Sequence, residues 1–336
     1  MTVSELSMPK VPTGYSARAV DPDADSQAVT TLCEASAIAD YGVSDVTYQA
    51  VRESYNAPGF DPQTDARLVF DDGGHLVGVT EFYDGDSQHV APFVFVRVHP
   101  DALSSGVGEG LLEWARQRGR SAAELAEPGL RVALHSNTAG VNQAMQNIFQ
   151  TAGWHRERTT WEMEIELEAE PSVPPLPAPL QMRAARLGND EHAIYRAEVE
   201  AFADHYGYLP RPYDSWLQLN TRVFPYDPSL WFVADDGGQI AGISLCLLEQ
   251  TGRADSGYVG SLGVRPAWRG KGVGLSLLRH SFAELYRRGK RRIALHVDSQ
   301  SLTGATRLYE RAGMHVVRES LSYELVLHEG REVRPI

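Results

Sequence analysis

The chain has 336 residues, of which 43% are hydrophobic and 22% are charged, and its formal net charge is −13. This length predicts about two domains, and the composition excludes wholesale disorder and a fibrous repeat. An acidic surface repels phosphate backbones and anionic lipid, which argues against a general nucleic-acid or membrane-surface binder. Cys33 and Cys246 are too few for a disulfide framework. With no signal pattern and no apolar stretch of membrane-spanning length, the expected location is cytoplasmic.

The first half of the chain contains a predicted hairpin. A strand ends at Val69 and Phe70, the turn Asp-Asp-Gly-Gly follows, and a return strand covers residues 75–82. A strand and a helical region precede the hairpin, and a strand, a helix, a strand, a helix and a strand follow it. This order predicts an α+β domain with a mixed, mostly antiparallel sheet.

A proline-rich segment separates the two halves. Residues 168–180 have the sequence EAEPSVPPLPAPL, and proline at this density favours an extended segment over a helix or a strand. The sequence therefore predicts an N-terminal domain at 1–167, a linker at 168–180 and a C-terminal domain at 181–336.

The second half repeats the pattern of the first. Five segments recur in the same order, namely 69–74 and 233–238, 98–100 and 264–266, 106–108 and 272–274, 131–135 and 292–296, and 152–155 and 312–315. Ordered recurrence of this kind indicates a tandem duplication of one domain.

A glycine-rich turn in the second half carries the strongest functional signal. A strand over residues 257–264 leads into Arg-Pro-Ala-Trp-Arg-Gly-Lys-Gly-Val-Gly at residues 265–274, and an amphipathic helix follows. Glycines allow successive N–H groups to converge, and a helix N-terminus favours an anion. Arg269 and Lys271 add positive charge there, so the turn predicts a pyrophosphate site.

The same segment resembles motif A of the GCN5-related N-acetyltransferases, the GNAT family. The run V-x-P-x-x-R-G-x-G-x-G places Arg269, Gly272 and Gly274 at the positions that define the motif. A second segment, A-x-x-L-Y-x-x-x-G-M at residues 305–314, is similar to another motif of that family, with Met314 at the usual phenylalanine position. The family's tyrosine acid matches Tyr309, and a phenol can protonate a departing thiolate.

The resemblance implies two tandem GNAT folds, each with helices on both faces of its sheet. It also implies that acetyl-CoA lies between two separating strands and that an amine attacks it directly in a ternary complex, with no metal involved. The implied acetyl-CoA-binding residues are Leu262, Gly263, Val264, Arg269, Gly270, Lys271, Gly272, Val273, Gly274 and Ser301.

The first copy lacks the two side chains that would bind the diphosphate and donate the proton. Leu103 stands in place of Arg269, and Phe149 stands in place of Tyr309. Because both losses fall on groups that would do chemistry, the N-terminal copy is predicted to be catalytically silent.

The general base is not fixed by the sequence. Many family members carry a glutamate on the strand before the glycine turn, whereas Tyr258 stands at that position here and is a catalytic candidate. The two-copy arrangement is similar to that of mycothiol synthases, but the missing glutamate counts against their acceptor. Asp204 and His205 are candidate acceptor-binding residues, with a solvated helix end as the alternative. His296 recurs as His135, which favours a packing role.

Together these features predict an N-acetyltransferase that moves an acetyl group from acetyl-CoA to a small-molecule primary amine. A peptide or protein N-terminus is the alternative acceptor, and a non-catalytic acyl-CoA-binding regulatory protein is the alternative function. The expected partners include neither nucleic acid nor membrane, and the chain is expected to be a monomer or homodimer.

Overall fold

The computed structural model describes residues 8–44, 46–57, 59–186, 188–223 and 227–335. Its residues fall into two compact units. The first unit comprises the residues up to Thr159 together with Glu319–Val333, and the second comprises Thr160–Arg318 together with the residues from Arg334.

The first unit contains the elements that follow in chain order. They are β1 (Tyr15–Ala19), α1 (Pro22–Tyr41), α2 (Tyr48–Ser54), α3 (Pro62–Asp65), β2 (Ala66–Asp71), β3 (Leu76–Tyr83), β4 (Phe93–Val98), α4 (Val107–Ala123), β5 (Val132–Ala139), α5 (Gln143–Thr151) and the start of β6 (His155–Glu166). The sheet order is β1-β2-β3-β4-β5 and then the last strand of the chain, β12 (His315–His328).

The second unit repeats this order. It contains the rest of β6, then β7 (Gln181–Ala184), α6 (Glu191–Phe202), α7 (Tyr213–Gln218), β8 (Trp231–Asp236), β9 (Gln239–Leu247), β10 (Ser256–Val264), α8 (Val273–Arg287), β11 (Arg292–Asp298), α9 (Ala305–Arg311) and the start of β12. Its sheet order is β6-β11-β10-β9-β8-β7. The pair β10–β11 is parallel and its neighbours are antiparallel, which confirms the mixed, mostly antiparallel sheet.

Helices cover both faces of each sheet, as predicted. In the second unit, α8 and α9 bury Leu277, Phe282 and Tyr309 in one core, while α6 and α7 bury Ile194 and Trp216 in the other. The first unit has the same arrangement, with α4 and α5 on one core and α1 and α2 on the other.

Each half of the chain completes its sheet with a strand from the other half. In the first unit, β12 pairs with β5 from Ser320 opposite Ala139 onward. In the second unit, β6 pairs with β11 from Glu166 opposite Arg292 to Thr160 opposite Asp298. The two units therefore differ from the continuous domains 1–167 and 181–336, because linear motifs do not reveal which sheet receives a strand. Residues 167–180 contain neither helix nor strand.

In each unit a buried aspartate is clamped by arginine, at β1 in the first and at β7 in the second, and this extends the repeat beyond the five sequence segments. In the first unit, Arg18 donates two hydrogen bonds of 2.6 Å to Asp25. In the second unit, Arg183 donates to Asp190 at 2.6 Å, and Arg186 donates to the same carboxylate through its side chain and its backbone. The clamps join β1 to α1 in the first unit, and β7 to the residue that precedes α6 in the second.

Replacing Asp190 with asparagine is expected to lower the free energy of unfolding by about 1.5–3 kcal/mol at pH 7, because the buried carboxylate loses its charge-assisted hydrogen bonds to two arginines. Burial alone would raise the pKa of Asp190, but hydrogen bonds from Arg186 and Arg183 outweigh it and hold that pKa well below its usual 3.8. A depressed pKa stabilises the fold above pH 4 and loses that contribution as the pH falls further. Urea unfolding at pH 7 and pH 3 measures both effects, and Asp25→Asn is the matched change in the first unit.

Among the helices that the structure describes, none combines the length and apolar character needed to cross a bilayer.

Candidate active site

The strands β10 and β11 separate part-way along their length. They pair in parallel only from Ser256 opposite Arg292 to Tyr258 opposite Ala294. Beyond Tyr258, β10 bulges between Val259 and Ser261 where it pairs with β9, and no further β10–β11 pairing is present in the described part of the chain. The separation leaves one edge of β10 open toward β11.

A cavity of about 590 Å³ lies at this opening, within the usual size of a small-molecule site. Its walls come from β10, β11, the turn before α8, the end of α6 and the start of α9. Among the residues singled out in the sequence, it brings together Leu262, Gly263, Val264, Arg269, Gly270, Gly272, Val273, Gly274, Ser301, Tyr309 and His205.

The glycine turn before α8 lines the cavity and has a backbone form that suits an anion. Gly272 precedes α8 with φ at +85°, and no side chain caps the helix there. A Cβ atom on Gly272 would meet nothing within 4 Å, so the glycine serves the left-handed backbone rather than a tight contact. Because the first N–H groups of a helix have no partner within it, those of α8 are available to an anion.

Arg269 joins the turn to two other elements. Its Nε donates to the carbonyl of Val264 at 3.1 Å, and its Nη2 donates to the carbonyl of Ala201 at 2.8 Å. Both terminal nitrogens also bond to the Asp204 carboxylate, at 2.5 and 3.0 Å. The guanidinium therefore fixes the end of α6 and the end of β10 around the mouth of the cavity.

Tyr309 of α9 also lines the cavity, with 7% of its surface exposed. Burial and the neighbouring Tyr258 raise the pKa of Tyr309 to about 12. The phenol therefore keeps its proton throughout the neutral range, as an acid for a thiolate requires.

Comparison with known proteins agrees with this geometry. Residues 192–314 match the model of the acetyltransferase (GNAT) family. A mycothiol acetyltransferase of Thermobispora bispora is 30% identical over 298 residues, which cover 86% of this chain and 92% of that protein. Another from Geodermatophilus obscurus is 32% identical over 251 residues, covering 71% and 75% of the two chains.

The chain belongs to the GNAT family.

Solved structures extend the agreement to both units. A GCN5-related N-acetyltransferase from Sphaerobacter thermophilus is 31% identical, with a TM-score of 0.81 over 96% of this chain and 99% of that one. A tandem GNAT protein from the clavulanic acid biosynthesis pathway has a TM-score of 0.67 over 94% and 100% of the chains, and at 14% identity it shows the fold alone. The protein is thus a two-domain GNAT acetyltransferase.

Three of the candidates from the sequence do not line the cavity of this GNAT protein. The ammonium of Lys271 is exposed and donates to the carbonyl of Ala267 at 3.0 Å. Asp204 is the ion-pair partner of Arg269, whose hydrogen bond lowers the pKa of the carboxyl. Tyr258 stands beside the cavity, and its hydroxyl bonds to Nδ1 of His296 at 2.8 Å.

The cavity also contains residues that sequence reasoning missed. His296, Ser261 and Arg311 all line it, and the hydroxyl of Ser261 is buried without a hydrogen-bond partner. The recurrence of His296 as His135 favours a packing role, whereas in the structure His296 is exposed and lines the cavity. The signal that could have found it is its position on the strand that faces β10.

His205 follows α6 and lies at the same end of the cavity as Arg269. Burial, opposed by Asp204, lowers the pKa of the imidazole, so the ring is neutral at pH 7. The close approach of α6 to β10 also explains Gly263, where a Cβ atom would lie 2.9 Å from that of Ala201. Any larger residue at position 263 would push α6 away from the sheet.

These residues fit acetyl-CoA, the co-substrate of the family. The N–H groups at the start of α8 suit the diphosphate of acetyl-CoA. The open edge of β10 offers backbone groups to the amide-containing chain of the same molecule. The orphaned hydroxyl of Ser261 is a further hydrogen-bonding group with room for a partner.

The described residues include one possible group of metal ligands, His135, Glu157 and Glu324, whose candidate atoms lie within 4.8 Å of one another. All three belong to the first unit. Glu324 also accepts a hydrogen bond from Arg131 at 2.7 Å, so the group is part of an ion-pair network.

Replacing Arg269 with lysine is expected to raise the KM for acetyl-CoA about tenfold, nearly as much as replacing it with alanine. An ammonium keeps the charge but cannot span the carbonyls of Ala201 and Val264 together with Asp204. Steady-state kinetics at varied acetyl-CoA measures this, and Lys271→Ala, which removes an exposed cation of the same turn, is the control. Wild-type KM in the lysine variant would show that charge alone matters.

Proposed function

We propose that the second unit transfers the acetyl group of acetyl-CoA to a small-molecule primary amine, by direct attack in a ternary complex. The observation that carries the proposal is the placement of an uncapped helix N-terminus and a buried tyrosine on the walls of one cavity. The helix N-terminus suits a diphosphate, and the tyrosine suits a departing thiolate.

Separate groups of residues bind acetyl-CoA and donate the proton. The N–H groups at the start of α8 bind the diphosphate, and Leu262, Gly263 and Val264 offer backbone groups along the cavity. Arg269 keeps the opening of the cavity in shape through its hydrogen bonds to the end of α6 and to Asp204. Tyr309 donates a proton to the sulfur as the carbon–sulfur bond breaks, which avoids the release of a free thiolate.

A buried carboxylate supports a cationic acceptor. Glu198 lies one turn before Ala201 and Phe202 on α6, and burial raises its pKa to about 7 despite a hydrogen bond from Trp216. Within the described residues no cationic side chain forms an ion pair with Glu198, so an ammonium group brought beside it would be stabilised electrostatically.

The first unit is proposed to be silent. Its turn keeps the backbone form, with Gly106 at φ +89° before α4. Phe149, however, is fully buried and stacks on Tyr323 with ring centroids 4.7 Å apart, so a packed aromatic pair stands where the second unit has its acid. We therefore expect one acetyl-CoA to bind per chain.

The test is release of CoA thiol from acetyl-CoA in the presence of a panel of amines. Because relatives are named mycothiol acetyltransferases, the panel includes the unacetylated form of mycothiol beside other small amines and short peptides. Thiol release that depends on a small amine supports the proposal. Selective use of peptide N-termini would identify the alternative acceptor, and calorimetric binding of acetyl-CoA without turnover would identify a regulatory protein.

A further inference from the structure

A tyrosine–histidine pair stands where β10 and β11 separate. Tyr258 is the last β10 residue paired with β11, opposite Ala294, and its hydroxyl bonds to Nδ1 of His296 at 2.8 Å. The ring of His296 lines the cavity and is exposed. The pair therefore lies at the closed end of the strand opening, away from the glycine turn that follows the other end of β10.

A buried glutamate faces the same pair from β6. Glu162 stands directly opposite His296 in the antiparallel register of β6 and β11, and its side chain is 4% exposed. Gln250 donates to Glu162 at 2.9 Å and Arg253 donates to it at 3.2 Å. Since the carboxylate is held by these groups, it is placed to stabilise positive charge on the imidazole.

The other ionisable groups around the pair lie on the remaining elements. Asp298 is two residues further along β11, on the same face as His296, and Tyr309 approaches Tyr258 from α9. Arg318 lies 3.6 Å from Glu162. His205 follows α6 near Arg269, and burial, aided by Arg269 and opposed by Asp204 and Asp298, lowers the pKa of its imidazole.

We propose that Tyr258 and His296 form the relay that removes the proton from the acceptor ammonium, with Tyr258 touching the amine and His296 receiving the proton. The inference rests on the proposed acetyl transfer and supplies its missing base.

The proton balance is complete without another reactant. The ammonium gives one proton to the Tyr258 oxygen as the Tyr258 hydroxyl proton passes to Nδ1 of His296, and the exposed imidazolium returns it to water. The amine nitrogen then bonds to the thioester carbonyl carbon, and the carbon–sulfur bond breaks. Sulfur takes the proton of Tyr309, and the second proton lost by nitrogen restores that phenol.

The relay predicts that His296→Ala lowers kcat/KM for the amine about 100-fold at pH 7, within the usual range of acid–base contributions. Added imidazole is expected to restore part of the rate with saturation. In the wild type, kcat/KM should rise with pH through an ionisation that the His296→Ala change removes. In the variant it should rise only where the amine itself loses its proton.

Tyr258→Phe is expected to show the same loss, and the double variant should be no worse than either single one, because the two groups act as a unit. His135→Ala is the matched control, since His135 stands opposite Glu324 in the first unit as His296 stands opposite Glu162. Calorimetric acetyl-CoA affinity and thermal midpoints show whether each variant is folded.

The outcomes are separable. Wild-type protein without amine-dependent thiol release overturns the proposed function and the relay with it. If the wild type is active and both His296→Ala and Tyr258→Phe keep its rates and pH profile, the relay alone is overturned. A loss of rate with no imidazole rescue and no change in profile shape also overturns it, because the ring is then only structural.

Discussion

Tyr309→Phe is expected to lower kcat for thiol release by about 100- to 1,000-fold, because the thiolate then leaves without a proton donor. The affinity for acetyl-CoA should change by less than about twofold, since the phenyl ring keeps its place in the core that α8 and α9 share. With the pKa of Tyr309 near 12, the wild type should show no alkaline loss from this group below about pH 10. Presteady-state thiol release and calorimetry measure the two quantities.

The control for this change is Tyr286→Phe, which removes a hydroxyl from the exposed side of α8, where it contacts the carbonyl of Glu168 at 3.4 Å. It should keep wild-type kinetics. If Tyr309→Phe retained more than about a third of wild-type kcat under conditions where chemistry limits the rate, Tyr309 would not be the acid.

Gly272→Asp is expected to raise the Kd for acetyl-CoA by about 30- to 150-fold relative to Gly272→Asn. Asparagine and aspartate have side chains of nearly the same size and both can adopt the left-handed backbone, so the comparison mainly reports one negative charge beside the bound diphosphate. Two charges about 6 Å apart at an effective dielectric near 20 repel by about 2–3 kcal/mol, and each 1.4 kcal/mol is tenfold in affinity. Calorimetric titration measures both variants.

The salt dependence of the Gly272 pair provides an internal check, since added salt screens the repulsion and should narrow the gap. Gly106→Asp places the same charge on the equivalent turn of the first unit and should leave acetyl-CoA binding unchanged. Equal affinities for Gly272→Asp and Gly272→Asn would mean that the diphosphate does not approach this turn.

Much of the site was predictable because its signals are local. The glycine turn and the A-x-x-L-Y segment each lie within a few residues of one helix start, and the cavity indeed brings Gly272 and Tyr309 together. The order of strands and helices was also predictable, since apolar alternation and turn residues are properties of short segments.

The remainder depended on distances across the fold. No sequence pattern predicts that Asp204 forms an ion pair with Arg269, or that the hydroxyl of Tyr258 forms a hydrogen bond with His296. Both pairs join residues from different elements. Lys271 illustrates the converse: proximity in the motif placed it at the turn, yet its flexible side chain bonds to the carbonyl of Ala267 outside the cavity.

The pairing of β5 with β12 sets an order of assembly during synthesis. Ser320 is added 181 residues after its partner Ala139, so the first sheet receives β12 only after all the other strands of both sheets have been made. The second sheet has its β6 before any of its other strands exist. Neither copy can be deleted as a continuous block without leaving the other sheet a strand short, so the second unit needs β6 from the first half whatever that half binds.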